Sequence, residues 1–588
     1  MADANVLNMD VSGLFHRNAY HPPLNADGSE IRLLTAMQDG TCRLKTSKLE
    51  SSDFVALSYA WGLPQDKIYV HVNPPFSTPV LIPTSLSDAL SVFSEKFYSP
   101  PFEMLPPVKI WADAICINQN DPNERSQQVT AMGNIFKAAD KVWIWIGLGG
   151  EKEDLAFRTL QRWGDQCPSP EDWEQSEVEA IQHVLQKPWW SRLWTLQEVV
   201  LATDAWLICG DNWLSWTKLQ MLNNRWLYLQ TESRSVTHSM ILSNLITETW
   251  SMKMQRFDEG PERTSLVTLL EQTAFFDTTD PRDKVYALVG LAAELPGFRV
   301  DYRASVREVF RSLAISEMAR SKSLNILLSA GLNPGENQWN FPSWVPDWTT
   351  QRKRPAPIPP THPFMFMMGL PDGVQVIGED TLRVIGHTIT TIKTRGVTFD
   401  IISGHHRSFL DDWLHTILKP EIAHLFRRPL DDLYKLIAVN FHLYGGTKIR
   451  KYSFAKRLAE SHSHALTTYL PALKRHTPGP DFVAAVWREM GEDELPLLDD
   501  SVETELSTWV QYMVWICQFR CLFVTHSGQM GLGPSTLQED DCLVRLQACD
   551  SLLIIRQIGD FRVLVGEGYA SISPSDLFSE RLDTFDLI

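Results

Sequence analysis

Three short apolar runs between residues 54 and 147 constrain the fold more than any other part of the sequence. They are 54–61 (FVALSYAW), 108–114 (VKIWADA) and 141–147 (KVWIWIG). Continuous apolar runs of this length are typical of strands that are buried on both faces of a sheet. Between the second and third runs, residues 121–124 (DPNE) have the form of a capping box that begins a helix. This order of strand, capped helix and strand predicts a parallel α/β sheet.

Polar and aromatic residues lie at the carboxyl ends of the first two runs and directly after them, where each predicted strand ends. In an open α/β sheet the ligand crevice lies beyond the carboxyl ends of the strands, so residues 58–62 and 113–119 are predicted to share one rim. The ligand-binding residues predicted there are Ser58, Tyr59, Trp61, Asp113, Asn118 and Gln119. A structural interpretation stays open for two of them, since Asp113 could cap its loop and Asn118 could occupy a left-handed turn.

A single carboxylate lies in an otherwise apolar helical segment, residues 193–202 (LWTLQEVVLA). Glu198 is one helical turn after Trp194, so the two side chains share a face. A carboxylate in such a setting either has a buried partner or has its pKa adjusted for chemistry. The first hypothesis makes Glu198 catalytic and gives Arg192 and Trp194 a role in ligand binding. The second makes Glu198 one half of a structural ion pair, with a partner among Arg125, Arg192 and Arg282.

The chain of 588 residues is too long for one hydrophobic core, so several domains are expected. The predicted divisions are a leading hairpin (1–53), an α/β core (54–210), a helical extension packed on the core (211–350), a proline-rich linker (351–365) and a mixed helical and β region (366–588). The predicted fold class is therefore α/β, with a mainly parallel sheet flanked by helices, a helical extension and a mixed α+β carboxyl-terminal region.

Composition excludes several classes of function. A net charge of −17 argues against general nucleic-acid binding, which needs a basic face. No apolar run reaches the length of a membrane span, and the first residues lack the pattern of a signal peptide. We therefore expect an intracellular protein, cytoplasmic unless the basic run 352–354 acts as a nuclear signal. Eight cysteines without a CxxC pair predict free thiols and no metal site.

Five segments of the sequence together resemble the fungal heterokaryon-incompatibility (HET) domain family. The resemblance is carried by 58–62 (SYAWG), 111–119 (WADAICINQ), the helix 124–138, 142–147 and 192–198. Downstream, 280–291 (DPRDKVYALVGL), 300–302 (VDY) and 342–348 (PSWVPDW) are similar to segments that commonly follow the domain. One departure lies in the tail, where Asp540 and Asp541 stand in place of a frequent Gly-Asp pair.

The resemblance implies a role in recognising non-self partners after cell fusion and in triggering cell death, through protein partners or self-association. The HET domain is also distantly similar to TIR domains, some of which cleave NAD and carry a glutamate in a Ser-x-Trp-Cys-x-x-Glu setting. Residues 191–198 (SRLWTLQE) resemble that setting with one residue added and Thr195 in place of the cysteine. The resemblance thus implies a TIR-like core, with NAD as a substrate and no bound cofactor.

Three functional hypotheses follow. In NAD cleavage, Glu198 would stabilise the cationic sugar, an aromatic ring (Tyr59, Trp61 or Trp194) would face the nicotinamide, and an amide (Asn118 or Gln119) would bond the ribose or carboxamide. In the second hypothesis the domain is a non-enzymatic signalling module. In the third, another enzymatic activity uses the same crevice.

Overall fold

The chain divides into two compact units, Met1–Ser305 and Val306–Ile588. The computed structural model describes residues 22–25, 27–37, 39–51, 53–73, 79–97, 108–166, 168–169, 172–232, 253, 265–293, 295, 297–332, 337–350, 374–400, 412–413, 416–417, 419–426, 436, 516–570, 572 and 581–588. The division at 305/306 falls inside the range 211–350, which is predicted from the sequence to be one helical extension. The predicted linker 351–365 and most of the helices predicted over 405–515 lie outside the described residues.

The first unit is built on a seven-stranded sheet with a separate two-stranded hairpin. Its strands are β1 Glu30–Ala36, β2 Cys42–Lys48, β3 Val55–Tyr59, β4 Lys67–His71, β5 Pro79–Pro83, β6 Ile110–Trp111, β7 Lys141–Trp145, β8 Ala205–Cys209 and β9 Asn212–Ser215. The strand order in the large sheet is β2-β1-β6-β3-β7-β8-β9, and β4 pairs with β5 alone. The three apolar runs form β3, β6 and β7, as predicted.

The α/β class is confirmed, but the prediction of a mainly parallel sheet is only partly right, because the sheet is mixed. The inner strands β6, β3, β7 and β8 are parallel neighbours. At one edge β1 pairs antiparallel with both β2 and β6, and at the other β9 pairs antiparallel with β8. Short connections within β1–β2 and β8–β9 allow only antiparallel pairing, since a parallel pair needs a crossover of a dozen or more residues.

Helices cover the inner strands of this sheet. In the first unit they are α1 Thr84–Phe97, α2 Asp113–Cys116, α3 Pro122–Ala138, α4 Glu151–Gln166, α5 Gln175–Leu185, α6 Trp194–Val200, α7 Trp216–Glu232, α8 Leu266–Gln272 and α9 Asp283–Tyr286. The helix predicted to run from 280 to 291 is confined to α9 and continues as turns. No helix in the described part of the chain is long and apolar enough to cross a membrane.

The start of α3 shows how the capping box of the sequence is used. The Asp121 side chain accepts from the backbone N–H groups of Asn123, at 2.9 Å, and Glu124, at 3.4 Å, which confirms it as the N-cap. The Glu124 carboxylate does not return to the N-cap. It pairs with the buried guanidinium of Arg32 at 2.5 and 3.0 Å and accepts from the Asn118 backbone N–H at 2.7 Å. The box is therefore half formed, and its glutamate ties α3 to β1.

The second unit contains a closed antiparallel barrel. Its strands are β10 Gln375–Ile377, β11 Thr381–Thr398, β12 Arg520–Thr525, β13 Met530–Pro534, β14 Cys542–Leu546, β15 Leu552–Ile558, β16 Phe561–Ala570 and β17 Asp583–Leu587. Pairing runs β11-β12-β13-β16-β15-β14 and returns from β14 to β11. The long strand β11 has register shifts between Thr388 and Thr390 and between Ile392 and Thr394, and such bulges bend a strand. Closure leaves these six strands without a free edge. The helices of this unit include α10 Val306–Ser321 and α11 Pro420–Ala423.

Three residues of the barrel show how its backbone and one of its ion pairs are constrained. Gly531 faces Phe523, and a Cβ at this position would lie 2.2 Å from the Phe523 ring. Asp540 has a φ of 67°, the left-handed conformation that glycine adopts at least cost. Asp541 is buried and pairs with Arg556 through both carboxylate oxygens, at 2.7 and 2.9 Å. The departure at 540 therefore keeps the backbone shape.

Candidate functional site

The turn before α6 is fixed by backbone pairing with a later part of the first unit. The Leu193 N–H donates to the Asp277 carbonyl at 3.1 Å, and the Asp277 N–H donates to the Ser191 carbonyl at 2.7 Å. The Arg192 guanidinium then reaches back to the end of β3, where it donates to the Tyr59 carbonyl at 3.0 Å. These bonds place the start of α6 beside the carboxyl end of the central strand.

Glu198 is buried in the middle of α6, with 6% of its surface exposed. It accepts a hydrogen bond from the Ser58 hydroxyl, and its Oε2 has no hydrogen-bond partner among the described residues. Burial raises the pKa of Glu198 from 4.5 to about 7. The Ser58 bond and the positive charges of Arg192 and Lys253 oppose this rise, whereas the negative charge of Asp113 adds to it.

Asp113, at the first position of α2, forms the centre of the rim beside Glu198. The Tyr59 hydroxyl donates to Oδ1 at 2.7 Å, the Trp61 indole N–H donates to Oδ2 at 3.0 Å, and the Ala114 N–H donates to Oδ1 at 2.8 Å. Burial raises the pKa of Asp113, and these bonds oppose the rise. The Gln119 side-chain amide holds the Asp113 carbonyl at 2.9 Å. The segments 58–61 and 113–119 thus meet as the sequence predicts.

Two of the predicted ligand-binding residues are engaged away from this cluster. Asn118 is occupied locally: its N–H donates to Glu124, and its side-chain oxygen accepts from the Asn120 N–H at 3.2 Å. Trp194 donates from its indole to Asp283 at 3.0 Å, and Tyr302 donates to the same carboxylate at 2.6 Å. Neither bond leads to Glu198. Ligand contact by these two residues stays a prediction.

The ion-pair alternative for Glu198 finds little support in the geometry. Arg125 lies 4.0 Å from Asp280 and 3.6 Å above the Tyr302 ring, and Arg282 bonds Asp280 at 2.7 Å. Among the described residues, no cation lies within 4.0 Å of the Glu198 carboxylate. Arg192 and Lys253 act on it only through longer-range electrostatics.

Sequence reasoning missed two residues of this site. Trp189 is buried, and its indole N–H donates to the Ser58 hydroxyl at 2.8 Å. Lys253 is also buried, and its ammonium donates to the carbonyls of Trp189, at 3.0 Å, and Arg192, at 3.4 Å, and to the Thr195 hydroxyl. The adjacent pair 189–190 (WW) before the helix is a signal for Trp189. Nothing in the local sequence around 253 points to the site.

The arrangement combines an enclosed carboxyl group with a partly open rim. Some surface stays exposed on the side chains of the rim, namely Trp61, Asp113, Gln119 and Arg192. Ser58 is fully buried and donates a hydrogen bond to Glu198. A carboxyl group with a pKa near neutrality exchanges protons readily at the pH of a cell, which suits a general base. Within the described part of the chain Oε2 has no hydrogen-bond partner, which is costly in a purely structural residue, since buried polar atoms normally have partners.

Comparison with known proteins agrees with the resemblance carried by 58–62 and 111–119. Residues 54–198 match the family model described as "Heterokaryon incompatibility protein (HET)". The chain is 24% identical, over 615 residues and 88% of each chain, to "Heterokaryon incompatibility protein 6, OR allele" of Neurospora crassa. No solved structure matches the chain.

Proposed function

Since residues 54–198 form a domain of the heterokaryon-incompatibility (HET) family, we propose that this protein acts in fungal incompatibility and does so by cleaving NAD. The relative from Neurospora, named for heterokaryon incompatibility, supports the biological role. Glu198, a buried carboxyl group beside the rim with one oxygen that has no partner among the described residues, carries the chemical part of the proposal. Loss of NAD would link recognition of a non-self partner to cell death.

The reaction needs what this site offers. Cleavage breaks the bond between ribose C1′ and the nicotinamide nitrogen, and the electron pair leaves with nicotinamide. The sugar passes through an oxocarbenium-like state, which a nearby carboxylate stabilises. A water molecule then adds to C1′ and gives its proton to Glu198, which later releases it to solvent. The products are nicotinamide, ADP-ribose and one proton.

The rim residues have matching roles in this proposal. The partly exposed indole of Trp61, held by Asp113, offers a flat surface for the nicotinamide ring. The guanidinium of Arg192, partly exposed beside the end of β3, suits the diphosphate. A glutamate on a helix near the carboxyl end of a parallel strand also supports the TIR-like interpretation of the core.

The test is release of nicotinamide from NAD by the purified full-length protein, measured by chromatography. We expect turnover by the wild type and a loss of at least about a hundredfold in Glu198→Gln, because removal of a catalytic acid or base costs roughly this factor. Glu177→Gln is the matched control, since Glu177 is also a buried glutamate but bonds Arg162 and Thr159 in the α4–α5 pair. Unchanged turnover in Glu198→Gln would remove Glu198 from the mechanism.

A second function, partner binding without chemistry, is favoured by one observation. The β4–β5 hairpin exposes Tyr69 and Leu81, which are direct cross-strand neighbours, at 66% and 44%. Exposed apolar clusters often mark contact surfaces. If cells expressing Glu198→Ala die as wild-type cells do, whereas Tyr69→Asp abolishes killing, the binding function is preferred over NAD cleavage.

A further inference from the structure

We propose that Trp189, acting through the Ser58 hydroxyl, is the positioning residue that holds the Glu198 carboxylate as a hydrogen-bond acceptor in the site. The relay consists of the hydrogen bonds from Trp189 to Ser58 and from Ser58 to Glu198. The effect of this relay on catalysis rests on the proposed NAD cleavage, whereas the relay itself does not. All three side chains are buried, with 1% of Trp189, 0% of Ser58 and 6% of Glu198 exposed. Water therefore has little access to replace any of these bonds.

The direction of the relay follows from the chemistry of its groups. An indole N–H can only donate, so the Ser58 oxygen must accept the 2.8 Å bond from Trp189. The single hydroxyl proton of Ser58 is then free to point at Glu198, with which Ser58 shares a hydrogen bond. Trp189 thus orients Ser58 as a donor to the carboxylate. The donated bond stabilises the ionised form of Glu198.

Lys253 lies over the Trp189 ring and strengthens the relay. Its ammonium lies 4.1 Å from the centre of the Trp189 ring, while two carbonyls and the Thr195 hydroxyl hold it in place. A cation above an aromatic face draws electron density from the ring, which makes the indole N–H a stronger donor. Consecutive hydrogen bonds polarise one another, so this effect extends to Ser58 and Glu198.

The charged groups that face the relay come from several elements. Three charged groups affect the pKa of Glu198 electrostatically: Asp113 at the start of α2, Arg192 in the turn before α6, and Lys253. Burial lowers the pKa of Lys253, and the negative charge of Glu198 opposes that change. An ionised Glu198 and a protonated Lys253 therefore stabilise each other, although they do not form a direct ion pair.

A purely structural role for Trp189 predicts a different behaviour. If the indole only fills space, removing its N–H lowers stability equally at every pH. If it holds the Glu198 carboxylate, removal matters most where Glu198 is ionised. The pH dependence of the loss distinguishes these cases.

The experiment uses Trp189→Phe, which keeps an aromatic ring but removes the N–H, in the full-length protein. Trp190→Phe is the matched control, because Trp190 is an equally buried neighbour whose N–H donates to the Val184 carbonyl at 2.9 Å. Melting temperatures are measured from pH 5 to pH 8, for both variants and for both in a Glu198→Gln background. Ser58→Ala serves as a second relay variant if Trp189→Phe does not fold.

We expect the destabilisation by Trp189→Phe or Ser58→Ala to grow between pH 5 and pH 8, and this growth to vanish in the Glu198→Gln background. The loss in Trp190→Phe should be the same at each pH. In NAD cleavage, the acidic limb of kcat/KM should move up by about one pH unit in Trp189→Phe. A loss that does not change with pH in both relay variants would overturn the proposal. Absence of NAD cleavage in the wild type would refute the proposed function alone, since the melting series decides the relay without NAD.

Discussion

Replacing Glu198 by glutamine should make the first unit less sensitive to rising pH. The folded protein holds the Glu198 proton with a pKa of about 7, against 4.5 for an unperturbed group. Between these values the folded state binds more protons than the unfolded state, so the free energy of unfolding falls as pH rises. With 1.36 kcal/mol for each pKa unit, the wild type loses about 2.5 kcal/mol between pH 5 and pH 8 through this group. Because glutamine does not ionise, the Glu198→Gln variant does not lose this part of the free energy of unfolding.

The assay is thermal unfolding of wild type and Glu198→Gln at pH 5, 6, 7 and 8, with the difference in Tm of the first unit as the readout. All other titrating groups are common to both proteins and largely cancel in that difference. Glu198→Gln should gain on the wild type by about 4 °C between pH 5 and pH 8, at about 1.5 °C for each kcal/mol in a unit that spans residues 1–305. A difference that stays constant from pH 5 to pH 8 would refute the reasoning that burial raises the pKa of Glu198.

Three further predictions concern the site and the barrel. If deprotonated Glu198 is the working form, kcat/KM for NAD cleavage should rise with pH through a midpoint near 7, the pKa of this group; a rate that is flat from pH 5 to pH 8 would contradict this assignment. Asp541→Ala should destabilise the second unit by about 3 kcal/mol, seen as a lower denaturant midpoint, because it strips Arg556 of both carboxylate bonds. Asp540→Gly should stay within about 1 kcal/mol of wild type, whereas Asp540→Val should lose about 1 to 2 kcal/mol, since valine resists a φ of 67°.

The sequence was informative wherever a local pattern determines a local structure. The apolar runs at 54–61, 108–114 and 141–147 contain β3, β6 and β7, because a strand buried on both faces must be apolar throughout. The segment around Glu198 formed a helix with its carboxylate buried, as its spacing indicates. The meeting of 58–61 with 113–119 also followed from the sequence, since parallel strands end at one rim.

Long-range contacts account for what the sequence did not reveal. Trp189 and Ser58 are 131 positions apart, and Lys253 reaches Thr195 across 58 positions, so no periodic pattern links them. The mixed character of the sheet depends on which strands take the edges, and apolar content alone does not determine that. Closure of the barrel depends on pairing between β11 and β14, which short alternating runs do not specify.

The segment after Pro281 is less helical than predicted, and it packs closely on its neighbours through Gly290. Gly290 lies against α6, where a Cβ would come within 2.4 Å of the Gln197 side-chain oxygen. The same residue also lies against Gly133 of α3, with a Cβ contact of 3.3 Å to its Cα. A sequence pattern records the helix start at 280–283 but not this contact.

We propose that Glu198 links the domain over residues 54–198, which matches the HET family model, to loss of NAD. The most direct test is to express wild type and Glu198→Gln in fungal cells at matched levels and to follow cellular NAD and viability together. NAD should fall before viability in cells with the wild type, and both should be preserved in cells with Glu198→Gln. Death of the Glu198→Gln cells at the wild-type rate with NAD unchanged would contradict a role of Glu198 in NAD loss.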